Sequence, residues 1–596
     1  MTAIDWTIVG LFVSTSLLIG LWFTKRASAS TDDFFVAGRS LPWYIAGTSM
    51  VATTFSSDTP LFVAGAVRES GIYANWFWWS AGIGTIVCVF FFARLWRRSE
   101  AVTDIQFITL RYDANPAVNV LRIFRAIFDG IFVNCIVMAS VTLAMSKILV
   151  VILDLSTQPV VILPIIGGLS PGMLILLLLG AAAVLYTALS GLYGVVYTDL
   201  IQFCLAMVGA FALAIIVYLD LDQQGGVFNA IQASSAYTEN TLQMFPPFGW
   251  NLDTATFLIM ITVGWWAVAP GSGYFIQRTL ATRSERDAML GLYWFATCHY
   301  IIRSWPWIVV GIASIVYFPV LLDAEQSYPL MINEFLPVGL KGVMVASLLA
   351  AFMSTLDTQM NWGASYLIVD IYKPFLATEK SQHHYVSAAR ICMVALTMTA
   401  ILVSTQLSGI LTAYQYLAVV LSGTSFVLIA RWYWWRITVW SEISSLLSSF
   451  IVGNTLLFLI PDTDQEQWFA VRLLINLIVT TCVCLLVTFA TSKTGPSQQA
   501  INFFTKIRVP GRGWSRVSSL CGVDAEPIGF LDCSLGAIGS IFGLFGLLLC
   551  VGELVLGSPA NAVLYGVIAA AGISISISKF RAIINTLGAT NQAPPG

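Results

Sequence analysis

The residues best equipped for chemistry in this sequence are oxygen donors set into apolar runs. Thr53-Thr54-Phe55-Ser56-Ser57-Asp58-Thr59-Pro60 interrupts the apolar stretch 42–67 with hydroxyls and a carboxylate. Pro60 has no N–H to donate and disfavours helix at the residue before it, so the spacing predicts an unwound turn near the middle of that stretch. Carbonyls and hydroxyls gathered away from water make a cation site. Ala269-Pro270-Gly271-Ser272-Gly273 interrupts 257–276 in the same way, with both residue types that break helices. In 339–372, Ala351, Ser354, Thr355 and Thr358 lie three and four apart and share one helical face. That face suits close approach of a second helix, or its hydroxyls bond back to the preceding turn. Asp357 beside it is a carboxylate near mid-span, which needs a partner, a cavity or a proton. Asp199, at the start of another apolar run, either caps that helix or stands on the inner exit path of an ion, and its position leaves both open.

Other chemistries find no footing. The histidines are His299, His383 and His384, and the ten cysteines are scattered through apolar segments, so no spacing suits structural zinc. No nucleophile–base pair or His-Glu cluster supports an enzyme. No charged ring or repeated filter segment supports a channel. Basic residues follow a topological pattern and form no patch for nucleic acid.

The elements that must position these oxygens are membrane helices. With 58% hydrophobic and 10% charged residues in 596, the composition lies far from soluble proteins, where about a quarter of residues are charged. Apolar stretches of roughly 20 residues recur almost end to end, and by that length roughly fifteen spans are expected. The first, 4–24, has Asp5 at its start and Lys25-Arg26 after it, the reverse of a secretory signal, so it stays attached with its N-terminus outside. Counting onward, Arg39, Arg94, Arg97, Arg98, Arg111, Arg278, Lys373, Arg431, Arg436, Arg508 and Lys579 all fall on one side, the cytoplasm, which also receives the C-terminus. The longest connection there, 491–528, is too short for an independent domain. Two broken helices five spans apart, in halves of opposite orientation, point to an inverted-repeat transporter with its site at the bilayer midplane.

Four blocks resemble the sodium/solute symporter family, which includes sodium-coupled sugar, proline, sialic acid and pantothenate carriers. They are Gly38-Arg39-Ser40-Leu41-Pro42-Trp43, the run from Ser190 to Gln202, Gln277-Arg278-Thr279-Leu280-Ala281, and the run from Ala351 to Tyr372. The resemblance covers about 4–435. It implies an all-α polytopic membrane protein with a leucine-transporter-type core of two inverted five-helix repeats. The core would span 1–435, with an extra helix at 4–24 and repeats at about 42–218 and 255–432. Accessory helices would follow at 436–596. It also implies a main sodium site made by the carbonyls of Ala52, Phe55 and Ala351 and the hydroxyls of Ser354 and Thr355. Neutral oxygen ligands suit reversible binding of a hard monovalent cation. A possible second cation site matches Asp199, Ser354, Asp357 and Thr358, where Asp357 departs from the family's hydroxyls.

In the family the solute lies between the broken helices, which nominates Thr54, Ser57, Asp58, Thr59, Trp265, Trp266 and Ser272. None reproduces a known sugar, proline or sialate set, so the solute class stays open among sugars, amino acids and organic acids. Arg303, well inside a span, is a further candidate. Free, it suits a carboxylate; paired with Asp58, it suits a neutral or zwitterionic solute. The resulting expectation is a sodium-coupled symporter of the cell membrane, with the bilayer as its surroundings and no obligate protein partner. The alternatives are proton coupling through Asp58 or Asp357, and a solute sensor of the same fold.

Overall fold

The computed structural model describes residues 1–27, 31–156, 158, 160–163, 167–169, 171–462 and 468–590. The side chains of Lys25, Arg26 and Ser190, used above for charge and motif, lie outside the described residues. Among the described residues the chain is helical apart from connections and one short antiparallel hairpin, Val161–Leu163 with Gly167–Leu169. The longer helices are α1 (Ala3–Ala27), α2 (Trp43–Thr54), α3 (Asp58–Ser70), α4 (Ile72–Ser99), α5 (Pro116–Ile152) and α6 (Pro171–Gln223). Next come α7 (Leu252–Thr262), α8 (Gly273–Leu280), α9 (Glu285–Tyr317), α10 (Leu340–Leu376), α11 (Gln382–Ser404), and the pair α12 (Ile410–Ser422) and α13 (Ser425–Tyr433), bent by 45°. The C-terminal part holds α14 (Val439–Leu459), α15 (Phe469–Thr491), α16 (Gln498–Ile507), α17 (Phe530–Leu556) and α18 (Pro559–Thr590).

Ten of the described helices are long and apolar enough to cross a bilayer, or eleven if the bent pair is one span. The protein is therefore an all-α, multi-pass membrane protein. Shorter apolar helices occur at Ala3–Ser16, Pro171–Leu185 and Leu252–Ala267. At 1.5 Å per residue the 53 residues of α6 extend roughly 80 Å if straight, too long for one crossing of a hydrocarbon core about 30 Å thick. Its apolar parts, Pro171–Leu185 and Leu192–Gln223, lie on either side of Ser190.

Both interruptions exist where the sequence places them, the first near the middle of its span and the second including Pro270. The first spans residues 55–57: Phe55 leaves helical geometry at φ −84°, ψ 76°, and α3 starts at Asp58. Pro60 falls in the first turn of α3, where an N–H would have no helical partner anyway, so it starts a helix and does not break one. The second is wider than 269–273. It runs from Val263 through a 3-10 turn, Gly264–Ala267, to Ser272. Gly271 has φ +70°, and a Cβ there would meet the Ile276 side chain at 2.3 Å.

Helix α10, which carries Ala351, Ser354 and Thr355, is the most enclosed of the spans, with 83% of its apolar window buried, against 22% for α18. The bundle is thus built around α10, while α18 lies at its edge. There α17 and α18 touch along glycine: a Cβ on Gly546 would lie 2.8 Å from the Ala569 amide, and one on Gly572 2.6 Å from the Gly539 carbonyl. The orienting arginines need a correction. Arg94, Arg111, Arg278 and Arg431 are buried. Arg94 pairs with Glu526 and Arg431 with Glu442, 3.1 Å away, and Arg111 donates to the carbonyls of Arg431, Trp434, Trp435 and Ile437. These arginines hold the bundle together, whichever side of it they mark.

Candidate functional site

A helix end leaves its last four carbonyls without helical partners, and in an apolar interior each must be satisfied by another group. At the end of α2 those carbonyls belong to Val51, Ala52, Thr53 and Thr54. Val51 accepts from Phe55 N at 2.8 Å and from Arg303 Nη1 at 2.9 Å. Thr53 accepts from Thr355 Oγ1 at 2.8 Å, and Thr54 from Arg303 Nη2 at 2.6 Å and Thr59 Oγ1 at 3.2 Å. Ala52 has only the 3-10-type bond from Phe55 N, 3.1 Å. Among the described residues no hydrogen bond ends on the Phe55 carbonyl. Of the three carbonyls nominated from the sequence, the two at this break, Ala52 and Phe55, receive no side-chain donor among the described residues.

Thr355 bonds to its own preceding turn at Ala351 O, 3.1 Å, and also reaches across to α2, so its hydroxyl joins the two helices. Ser354 Oγ donates to Asp199 Oδ1 at 2.6 Å, and Ser49 Oγ to Asp199 Oδ2 at 2.5 Å. Asp199 is fully buried between α2, α6 and α10 and caps nothing. Arg278 of α8, also fully buried, faces it at 3.8 Å and donates to Thr358 Oγ1 at 2.6 Å and Ser49 Oγ at 3.1 Å; Thr358 and Thr53 hydroxyls lie 3.0 Å apart.

Among the described residues the hydrogen bonds of Asp357 do not join those that link Asp199, Arg278 and Thr358. Arg278 already supplies a positive charge between Asp199 and Thr358. Asp357 turns away to accept from Thr187, and its Oδ2 finds no partner among the described residues. Sequence reasoning treated Arg278 only as an orienting charge; its place within the Gln277-Arg278-Thr279 block was the available signal.

The solute candidates also divide. Thr54 lies 3.1 Å from His299 Nδ1, and His299 meets Trp78 edge-on at 5.4 Å between ring centres. Asp58, buried at the start of α3, accepts from Tyr414 of α12 at 2.5 Å and Thr59 at 3.4 Å. Thr54, Thr59 and Tyr414 are half-buried. Ser57 instead donates to Val141 O of α5 at 3.0 Å. Trp265 and Trp266 are half-buried, and their indole N–H groups bond carbonyls of Ile261 and Thr262 one turn back. Ser272 borders a different space, a cavity of about 90 Å³ shared with Arg125, Asp129, Trp362, Tyr366 and Glu442.

Arg303 does not pair with Asp58. Its guanidinium is fully buried and spends both Nη atoms on the α2 carbonyls. Neither state foreseen for it, free or paired with Asp58, is found. The reason is local: a broken helix end a few ångströms away offers two orphan acceptors, and Asp58 already has a hydroxyl partner.

A profile described as "Sodium:solute symporter family" matches residues 34–448. The chain is 26% identical over 555 residues to the sodium/glucose cotransporter of Vibrio parahaemolyticus, covering 86% of this chain and 95% of that protein. It is 24% identical over 410 residues to the sodium/sialic acid symporter SiaT of Proteus mirabilis (strain HI4320), covering 66% and 75%. A solved structure of a Na+-coupled sialic acid symporter, substrate-bound and outward-open, superposes with a TM-score of 0.66 at 18% identity, over 84% of this chain and 99% of that one, which shows a shared fold. The chain belongs to the sodium:solute symporter family: it is a sodium-coupled secondary transporter that moves a small polar solute across a lipid bilayer, and not an enzyme.

Proposed function

We propose that sodium binds at the end of α2 on the carbonyls of Ala52, Phe55 and Ala351 and the hydroxyls of Ser354 and Thr355. The observation that carries this reading is the carbonyl count at the break: every other orphan of α2 is claimed by a side chain, while Ala52 and Phe55 retain lone pairs beside α10. Sodium bound there ties the unwound turn to α10 and completes the adjoining solute site, so ion and solute favour one state and each raises the other's affinity. A potential of 100 mV and a tenfold gradient together supply about 3.7 kcal/mol per sodium, enough to concentrate a neutral solute several hundredfold. A second cation at Asp199, Asp357 and Thr358 would require Arg278 to leave and Asp357 to turn, and the proposal does without it.

The solute site is assigned to the space beside Thr54, Asp58, Thr59, Trp265 and Trp266, with Ser57 and Arg303 removed from the set and Ser272 set apart because it lines a different cavity. The named relatives carry glucose and sialic acid. Because Arg303 is spent on carbonyls, a neutral polyhydroxyl solute fits better than a carboxylate.

The same reading divides the chain into a core at 1–435 and accessory helices at 436–596. Adding the broken span α2–α3, the bent pair and the three shorter apolar helices to the ten long ones gives fifteen crossings. This accommodates two inverted five-helix repeats, at about 42–218 and 255–432, after α1. An odd number of crossings puts the termini on opposite sides, and the distribution of basic residues favours the N-terminus outside and the C-terminus in the cytoplasm.

The test is thermal stabilisation of the purified protein across sugars, amino acids and organic acids, in sodium and in potassium. A sugar that stabilises only in sodium is the expected result. Equal stabilisation in both salts would remove the coupling assigned to this site.

A further inference from the structure

Arg303 stands where α9 passes from a π-turn, Thr297–Ile302, into regular helix at Ser304. Such turns widen a helix locally and are frequent at functional positions. The side chain is fully buried, lies over the rings of Phe55 and Trp307 at 5.9 and 5.2 Å, and leaves Nε without a partner. Its two Nη groups hold the carbonyls of Val51 and Thr54. Val51 and Thr54 bracket Ala52 in the last turn of α2, and Phe55 follows directly on Thr54 as the first non-helical residue. A planar fork that grips Val51 and Thr54 therefore holds in place the turn that carries Ala52 and the peptide that leads into Phe55.

We infer that Arg303 is a positioning residue for sodium: it caps the broken end of α2 from inside the bundle and aims the Ala52 and Phe55 carbonyls at the ion. The inference rests on the proposed sodium site. It also fixes a sign. A guanidinium acting only as a nearby charge repels sodium, so its removal would tighten binding; a guanidinium that orders the ligands does the opposite. Lysine keeps the charge but lacks the two-pronged geometry, so Arg303→Lys separates the two roles.

The experiment titrates the melting temperature of the full-length purified chain with sodium chloride replacing potassium chloride at constant total salt. Arg303→Gln is expected to raise the sodium concentration for half-maximal stabilisation about tenfold, and Arg303→Lys about threefold. A purely architectural role lowers the melting temperature in both salts and leaves that half-saturation unchanged, which would overturn the inference, as would tighter sodium binding in Arg303→Gln. If Arg303→Gln fails to fold, Arg303→Lys decides alone by the same criterion. Absence of a sodium-specific shift in the unmodified protein would instead remove the sodium site itself, a separate result.

Discussion

The two interruptions of this bundle are built on opposite principles. The first is three residues long, and side chains from two other helices, Arg303 on α9 and Thr355 on α10, hold its freed carbonyls. The second runs from Val263 to Ser272; among the described residues the indole N–H groups of its two tryptophans bond the turn behind them, Trp96 of α4 donates to the Pro270 carbonyl at 2.6 Å, and Ser272 is exposed. A short break clamped from several sides keeps ligand oxygens in register, as an ion requires. A long break held from outside chiefly at one end, by Trp96, leaves its tryptophan turn freer to reshape around a solute. The contrast teaches that a broken helix is defined less by its proline than by which groups adopt its orphaned carbonyls.

The strongest attack on the clamped side is the double replacement Ser354→Ala and Thr355→Ala. Two ligand hydroxyls disappear, and one of them also bridges to Thr53 O; the expected loss is about 3 kcal/mol, or more than a hundredfold in sodium half-saturation. Unchanged sodium dependence of uptake into vesicles would show that the ion lies elsewhere. Next in size, Asp58→Asn weakens the tie between α3 and α12. It should reduce uptake of the identified solute about tenfold while sodium half-saturation moves less than threefold. Equal loss in both would merge the ion and solute regions that the comparison keeps apart.

On the loose side, Gly271→Ala forces a left-handed position and a clash with Ile276, costing about 2 kcal/mol. A lower melting temperature with unaltered sodium half-saturation is expected, and a sodium effect would show the breaks to be coupled at rest. The smallest change belongs to Trp266→Phe, because the indole N–H bonds only its own helix. Sodium binding should stay within twofold, and a larger shift in solute affinity would assign that ring to the solute.

Much of this was legible beforehand, and the rest was hidden for identifiable reasons. Membrane helices, the existence of two breaks and the shared face of Ala351, Ser354 and Thr355 follow from composition and short spacing. The exact bounds of the breaks did not, because Pro60 is as acceptable in a first turn as at an end and nothing marks Val263 as the start of the second. Partners distant in sequence were the main casualty: Arg303 and Asp58 are both unusual at membrane depth and so invited pairing, yet each is satisfied by a group with no distinctive signature, a carbonyl and a tyrosine hydroxyl. Arg278 was overlooked for a related reason. Near a helix end an arginine reads as a surface charge, and only the folded bundle reveals Asp199 opposite it.

The pairing of Glu526 with Arg94 and Arg98, and of Arg98 with Glu285, ties the connection after α16 to the ends of α4 and α9. Arg94 is fully buried, so losing Glu526 would leave an enclosed charge uncompensated, at a cost of about 3–5 kcal/mol. The accessory helices are consequently not interchangeable modules. A chimaera that exchanges everything after residue 435 with that of a relative must bring a carboxylate to the position of Glu526, or replace Arg94 as well. Inheritance of the C-terminal part should therefore track the identity of residues more than four hundred positions upstream.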